Sequence, residues 1–162
     1  MATLVSLHLL SLPLLTGSPP ARGFEGAWVL DAQASQPIDG ILKELGYGWV
    51  TRKVFATLSV EQFIQTKPAY LKSRIETLFG KHSVELYADR VWRPGRKVKG
   101  GMTRRRTHEV RPGHWITEDR FPSGKILKVH RVLVGNNRFE ERLELTKTNK
   151  VTLRGTRVFR RQ

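Results

Sequence analysis

The stretch Ile38-Asp39-Gly40-Ile41-Leu42-Lys43-Glu44-Leu45-Gly46-Tyr47-Gly48-Trp49-Val50-Thr51-Arg52-Lys53-Val54 decides how this sequence folds. Ile38, Ile41, Leu42 and Leu45 stand at i, i+3, i+4 and i+7, one face of an α-helix, with Pro37 suited to its first turn and Gly46 to its end. Trp49, Val50 and Val54 predict a second short helix before Ser59. Around this pair the chain reads as strand. Upstream, Phe24, Gly26, Trp28 and Leu30 alternate with Glu25, Ala27 and Val29, the period of a half-buried strand. Downstream, strand-like runs break at Pro68, Gly80, Pro94-Gly95, Gly100-Gly101, Pro112-Gly113, Ser123-Gly124, Asn136-Asn137 and Thr148-Asn149. The last four breaks recur about every dozen residues, the rhythm of an antiparallel meander. One strand, a helical pair and a run of hairpins predict a small closed barrel with a lid.

Composition bounds what such a barrel can be. The 162 residues suit one domain able to bury a core without staples. The absence of cysteine excludes a disulfide framework, a thiolate zinc site and a cysteine nucleophile. With 29 Lys plus Arg against 14 Asp plus Glu, the formal charge is +15, which attracts nucleic acid, acidic lipid or small carboxylates without choosing among them. The first twenty-three residues stand apart. Leu4 to Leu15 is an apolar run of signal-peptide length, too short to span a bilayer, and Ala21-Arg22-Gly23 would permit cleavage before Phe24. No Lys or Arg precedes the run, so residues 1–23 read either as a secretory signal or as an untranslocated extension. Nothing later has the pattern of a membrane span, and there is no internal repeat or low-complexity tract.

The last strands carry the chemistry. In Lys150 to Arg160, Val151, Leu153, Gly155, Arg157 and Phe159 share the apolar face, so Arg157 is expected to point inward. In Lys125 to Val134, Leu127, Val129, Arg131 and Leu133 share one face and bring a second arginine inside. Desolvating a guanidinium costs several kcal/mol unless an anion or a hydrogen-bond network compensates it. Its planar fork matches a carboxylate in two places. Two readings follow: the pair holds the anionic head of a ligand, or it is neutralised from within by Glu141, which shares an apparent inner face with Phe139, Leu143 and Leu145.

At these residues the sequence resembles the intracellular fatty-acid-binding and retinoid-binding proteins. Residues Ile38 to Val54 look like that family's lid, with its Leu-Gly-x-Gly-aromatic-x-Thr-Arg-Lys core, and Phe24-x-Gly-x-Trp-x-Leu looks like its first strand. Lys72-Ser73, Thr77, Phe79, Arg96-Lys97-Val98-Lys99, Gly124-Lys125 and Thr156-Arg157-Val158-Phe159 recur in the family's order, so the resemblance covers residues 24–162. It implies a ten-stranded antiparallel up-and-down β-barrel of calycin type, capped by a helix-turn-helix lid at the portal. It also implies a carrier of a long-chain fatty acid, retinoid or similar lipid, monomeric and cytoplasmic, with no cofactor and no catalysis. If residues 1–23 act as a signal, the chain is instead expected to be secreted.

The family's two carboxylate-binding arginines match Arg131 and Arg157 in this sequence, and its tyrosine position is occupied by Phe159, which removes one hydrogen-bond donor. Trp28, Tyr47 and Phe79 are candidate cavity or portal residues, each with ordinary core packing as the competing reading. Lys43, Arg52 and Lys53 suit contact of the lid with acidic membranes, and equally a solvated face. The chain departs from the family before Pro37, around Thr148-Asn149 and from Arg90 to Phe121, where strand alternation turns at least one of Arg104, Arg105 and Arg106 inward.

The competing class is a basic nucleic-acid-binding module built on the net charge and Arg104 to Arg106, but no nucleic-acid signature accompanies them. An enzyme has less support. His8, His82, His108, His114 and His130 lack metal-ligand spacing, and Gly46-x-Gly48 lacks the third glycine of a dinucleotide loop.

Overall fold

A computed structural model describes residues 23–57, 59–77, 80–148 and 151–162. The apolar run and cleavage motif up to Arg22, and Phe79, lie outside the described residues. Ten strands occur in chain order: β1 (Gly26–Asp31), β2 (Glu61–Lys67), β3 (Tyr70–Thr77), β4 (Gly80–Tyr87), β5 (Arg93–Val98), β6 (Gly101–Arg111), β7 (His114–Arg120), β8 (Ile126–Leu133), β9 (Arg138–Thr146) and β10 (Thr152–Arg161). Helices α1 (Asp39–Glu44) and α2 (Trp49–Thr57) lie between β1 and β2, as the periodicity predicts.

All neighbours pair antiparallel in a single sheet of order β4-β3-β2-β1-β10-β9-β8-β7-β6-β5. The sheet curls into an up-and-down half-barrel, and one expectation needs correcting: the barrel is not closed by hydrogen bonds, because β4 and β5 are its two edges. The chain beyond β4 reaches instead to β6, through a bridge between Asp89 and His108 and a 3.0 Å bond from the Arg90 amide to the Thr107 carbonyl. A cleft of about 290 Å³ separates the two edges.

A second correction concerns Pro94-Gly95, which reads as a turn but lies inside β5. β5 is an edge, so the missing amide of Pro94 removes no bond on its free side. Gly95 is required because a Cβ there would collide with the Thr103 hydroxyl. The register slips between Pro94 and Lys97, a bulge that re-aims the side chains beyond it.

Two apolar clusters fill the interior. The first, at the end away from the helices, joins Phe24, Trp28, Trp115, Phe139 and Phe159 to Val60, Ile64, Leu71 and Leu86. The second joins Ile41 of α1 to Phe121, Leu127, Val129 and Leu145. α1 is seated by Gly155, where a Cβ would stand 2.8 Å from Ile38 Cγ2, and ends at Gly46 with φ +87°. Glu44 at its last turn pairs with Lys125 at 3.2 Å and with Lys147 at 2.8 Å. α2 packs far less: Trp49 and Val50 are 64% and 66% exposed. No described helix is long and apolar enough to cross a membrane.

Candidate functional site

The register across the last three strands brings the two interior arginines to one carboxylate. Glu141 of β9 lies directly opposite Arg131 of β8 on one side and Arg157 of β10 on the other. Arg131 Nε donates to Glu141 Oε1 at 3.1 Å, and Arg131 Nη1 donates to Thr117 Oγ1 at 3.2 Å. Gln62 Nε2 donates to the same Oε1 at 3.4 Å, and Ser73 Oγ donates to Gln62 Oε1 at 3.3 Å. Thr117 is in turn 3.2 Å from the Thr107 hydroxyl. A buried polar belt therefore crosses the barrel from β3 to β6, between the two apolar clusters.

Arg157 is bound differently. Its Nη1 stands 3.9 Å from Glu141 Oε2, beyond hydrogen-bond length. Burial lowers its pKa from the ordinary value, Glu141 opposes that shift, and the neighbouring Arg131 charge adds to it. One carboxylate thus faces two guanidinium groups and is hydrogen-bonded to Arg131. Arg157 also lines a cavity of about 220 Å³ under the lid, whose walls include Leu30, Ile38, Leu42 and Phe55 and the paired Asp39 and Arg52. A guanidinium short of a hydrogen-bonded counter-charge and lining a partly apolar cavity has the chemistry to accept an anionic head group.

The other expected residues separate. Phe159 is fully buried, stacked on Phe139 with ring centroids 4.7 Å apart, and the Arg157 guanidinium lies 5.1 Å from its ring centroid. It shapes the floor beneath Arg157 and offers no donor. Trp28 is also fully buried, edge-on to Phe139, with its Nε1 donating to the Phe24 carbonyl at 2.8 Å. It packs in the first apolar cluster and is not among the residues lining the lid cavity or the β4–β5 cleft. Tyr47 sits at the turn between the helices, edge-on to Phe55, and its hydroxyl accepts a bond from Arg96 Nη1.

The triple-arginine stretch resolves into alternating faces. Arg105 points inward and makes a two-pronged pair with Asp119, at 2.6 and 2.7 Å. Arg106 points outward to Glu118 at 2.9 Å, and its guanidinium lies over Trp92, as does that of Arg120. Sequence reasoning missed Asp119, Gln62 and Thr117 as partners. Continuing the alternation Trp115, Thr117, Asp119 along β7 would have exposed two of them. It also missed Arg96, for which the bulge left no readable period. Among the described residues no group of three or more His, Asp or Glu is placed to hold a metal ion.

No protein-family model and no curated protein matches the sequence. Solved structures do match in shape. The apo form of lipid binding protein 8 from Caenorhabditis elegans aligns with TM-score 0.70 at 16% identity, over 86% of this chain and 95% of that one. A Schistosoma mansoni fatty acid binding protein in complex with arachidonic acid aligns with TM-score 0.69 at 16% identity, over 88% and 98%. Fatty-acid-binding protein 1 of Echinococcus granulosus aligns with TM-score 0.68 at 18% identity, over 85% and 96%. At these identities the likeness is one of fold, and it is the fold of the family that the lid and last-strand motifs resemble.

Proposed function

We propose that residues 24–162 form a carrier that binds a hydrophobic carboxylate, a long-chain fatty acid or similar lipid, non-covalently inside the barrel. The observation that carries this reading is Arg157: a largely buried guanidinium with its nearest carboxylate oxygen at 3.9 Å, lining a cavity with partly apolar walls under a loosely packed helix. The fold shared with fatty-acid-binding proteins, one of them holding arachidonic acid, supports it. Arg157 leads in contacting the head group and Arg131 supports it through Glu141, while Phe159 closes the floor.

Burial of an acyl chain supplies the affinity, at about 0.8 kcal/mol per methylene before ordering costs are subtracted. The cavity of about 220 Å³ is below the usual ligand-pocket range of roughly 300–1,000 Å³. Entry of a long chain therefore requires α2 to move, and Tyr47 and Phe55 flank that route. The exposed Trp49 and Val50, with Lys43 and Lys53 nearby, suit transient docking of the lid on an acidic membrane surface. The carrier acts as a monomer in the cytoplasm, or outside the cell if residues 1–23 are a functional signal.

The test is calorimetry on delipidated protein with a long-chain fatty acid and with a generic oligonucleotide at near-physiological salt, alongside mass spectrometry of co-purifying lipids. One or two fatty acids per chain supports the proposal. Tight oligonucleotide binding with no response to the fatty acid would replace it with the nucleic-acid reading.

A further inference from the structure

Arg96 is placed by the β5 bulge at the inner end of the cleft between the sheet edges, directly beneath the turn of the lid. Its backbone amide donates to Thr103 Oγ1 at 2.9 Å, which fixes the strand where the side chain leaves it. The guanidinium lies 5.6 Å from the ring centroid of Tyr47 and 5.5 Å from that of Phe121, so two rings bound its position. Nη1 is bonded to the Tyr47 hydroxyl. Nε is buried and meets no acceptor among the described residues. A buried donor left without a partner costs about 1–3 kcal/mol, so such an atom calls for an explanation.

Its neighbours in the cleft make the contrast. Arg93 is paired with Asp89, Arg105 with Asp119 and Arg106 with Glu118. Glu85, also lining the cleft, is engaged by Lys72 at 3.6 Å and by the Tyr87 hydroxyl at 3.1 Å. Among the described residues Arg96 is the arginine of this cleft with no carboxylate partner. Its bond to Tyr47 uses Nη1 and leaves the edge formed by Nε and Nη2, where two parallel donors match a carboxylate or phosphate. The tyrosine hydroxyl absent beside Arg157, where Phe159 stands, is thus present beside a different arginine, Arg96.

We propose that Arg96, held by Tyr47 and Phe121, is a second anion-binding site, which takes the carboxylate or phosphate head of an amphiphile at the junction of the β4–β5 cleft and the lid. The site is independent of Arg157, so the chain can hold one amphiphile with its head inside and another with its head at the portal.

The probes are dodecyl phosphate, dodecanoate and dodecanol, titrated into full-length protein with ¹⁵N-labelled arginine. The Nε–H resonance of Arg96 is assigned by its loss in Arg96→Gln. The expected result is that this resonance moves with one or both anions and stays still with dodecanol; whichever anion moves it identifies the head-group source. Arg96→Gln should weaken binding of that anion by at least about tenfold, the range for a charge-assisted bond, and leave dodecanol unchanged. Arg96→Lys, which keeps the charge but loses the planar edge, should recover only part of that loss. In Arg157→Leu the Arg96 response should persist, which separates this site from the interior one. A resonance that neither anion moves at saturation would overturn the proposal. So would an Arg96→Gln variant with unchanged affinity for both anions, or loss of the Arg96 response in Arg157→Leu.

Discussion

Arg157 and Glu141 are direct partners across the β9–β10 ladder, yet the nearest nitrogen and oxygen of their side chains stand 3.9 Å apart. The same carboxylate is 3.1 Å from Arg131 on the opposite strand. The two interior arginines are therefore not equivalent. Arg131 is the hydrogen-bonded partner of Glu141, and the head-group contact is proposed for Arg157.

That asymmetry predicts opposite stability effects. Arg131→Leu leaves Glu141 buried without its hydrogen-bonded cation and should destabilise the fold by about 3–5 kcal/mol in urea denaturation. Adding Glu141→Leu should return only part of the loss, because it removes the unpaired carboxylate but leaves Arg157 without its nearest counter-charge. Arg157→Leu should change stability little, since Glu141 keeps Arg131 and Gln62. Equal losses for Arg131→Leu and Arg157→Leu would contradict the asymmetry.

The seat of the lid is sensitive to one atom. A Cβ at position 155 would stand 2.8 Å from Ile38 Cγ2 and 3.3 Å from the Pro37 carbonyl. Gly155→Ala should cost about 1–3 kcal/mol, as overpacking does, visible as a lowered melting midpoint. Gly48→Ala is the control, because a Cβ there meets nothing within 4 Å, and it should stay within about 1 kcal/mol of the parent.

The outer face of β6 to β8 predicts loss of stability in acid. His108, His114 and His130 are held below the ordinary 6.5, chiefly by burial, with nearby cations adding to it. As pH falls through about 6.5, the unfolded chain takes up protons that the folded chain does not, so stability drops with decreasing pH. Burial alone would raise the carboxyls of Glu118 and Glu140, but arginine hydrogen bonds outweigh it and hold both below 4.5. Their stabilisation is present above about 4.5 and is lost as pH falls through their lower folded values. His130→Gln should flatten the stability curve as pH falls from about 6.5, while leaving the fall below about 4.5 intact. An unchanged slope in the upper window would exclude the histidine contribution.

The residues that proved readable and unreadable in the sequence differ for a physical reason. β8, β9 and β10 have one face buried, so a period of two assigns Arg131, Glu141 and Arg157 inward without any tertiary information. Of the helices between β1 and β2, α1 was readable from the apolar spacing of Ile38, Ile41, Leu42 and Leu45, and α2 from Trp49, Val50 and Val54. Which arginine owns Glu141 was not readable, because both oppose it in register and the choice is made by side-chain reach. β5 was unreadable for another reason: an edge strand tolerates Pro94, and Gly95 makes room for Thr103, so a bulge presents itself as a turn. The inward course of Arg96 was hidden with it.

In the proposed carrier, Arg157 reads the head group of the ligand. Calorimetry of delipidated wild type and Arg157→Leu against a long-chain fatty acid and its methyl ester tests this most directly. Arg157→Leu should weaken binding of the acid by about 1.5–3 kcal/mol, the range for hydrogen bonds to charged groups, and leave the ester nearly unchanged. Equal loss for acid and ester, or an unchanged preference for the acid, would contradict it.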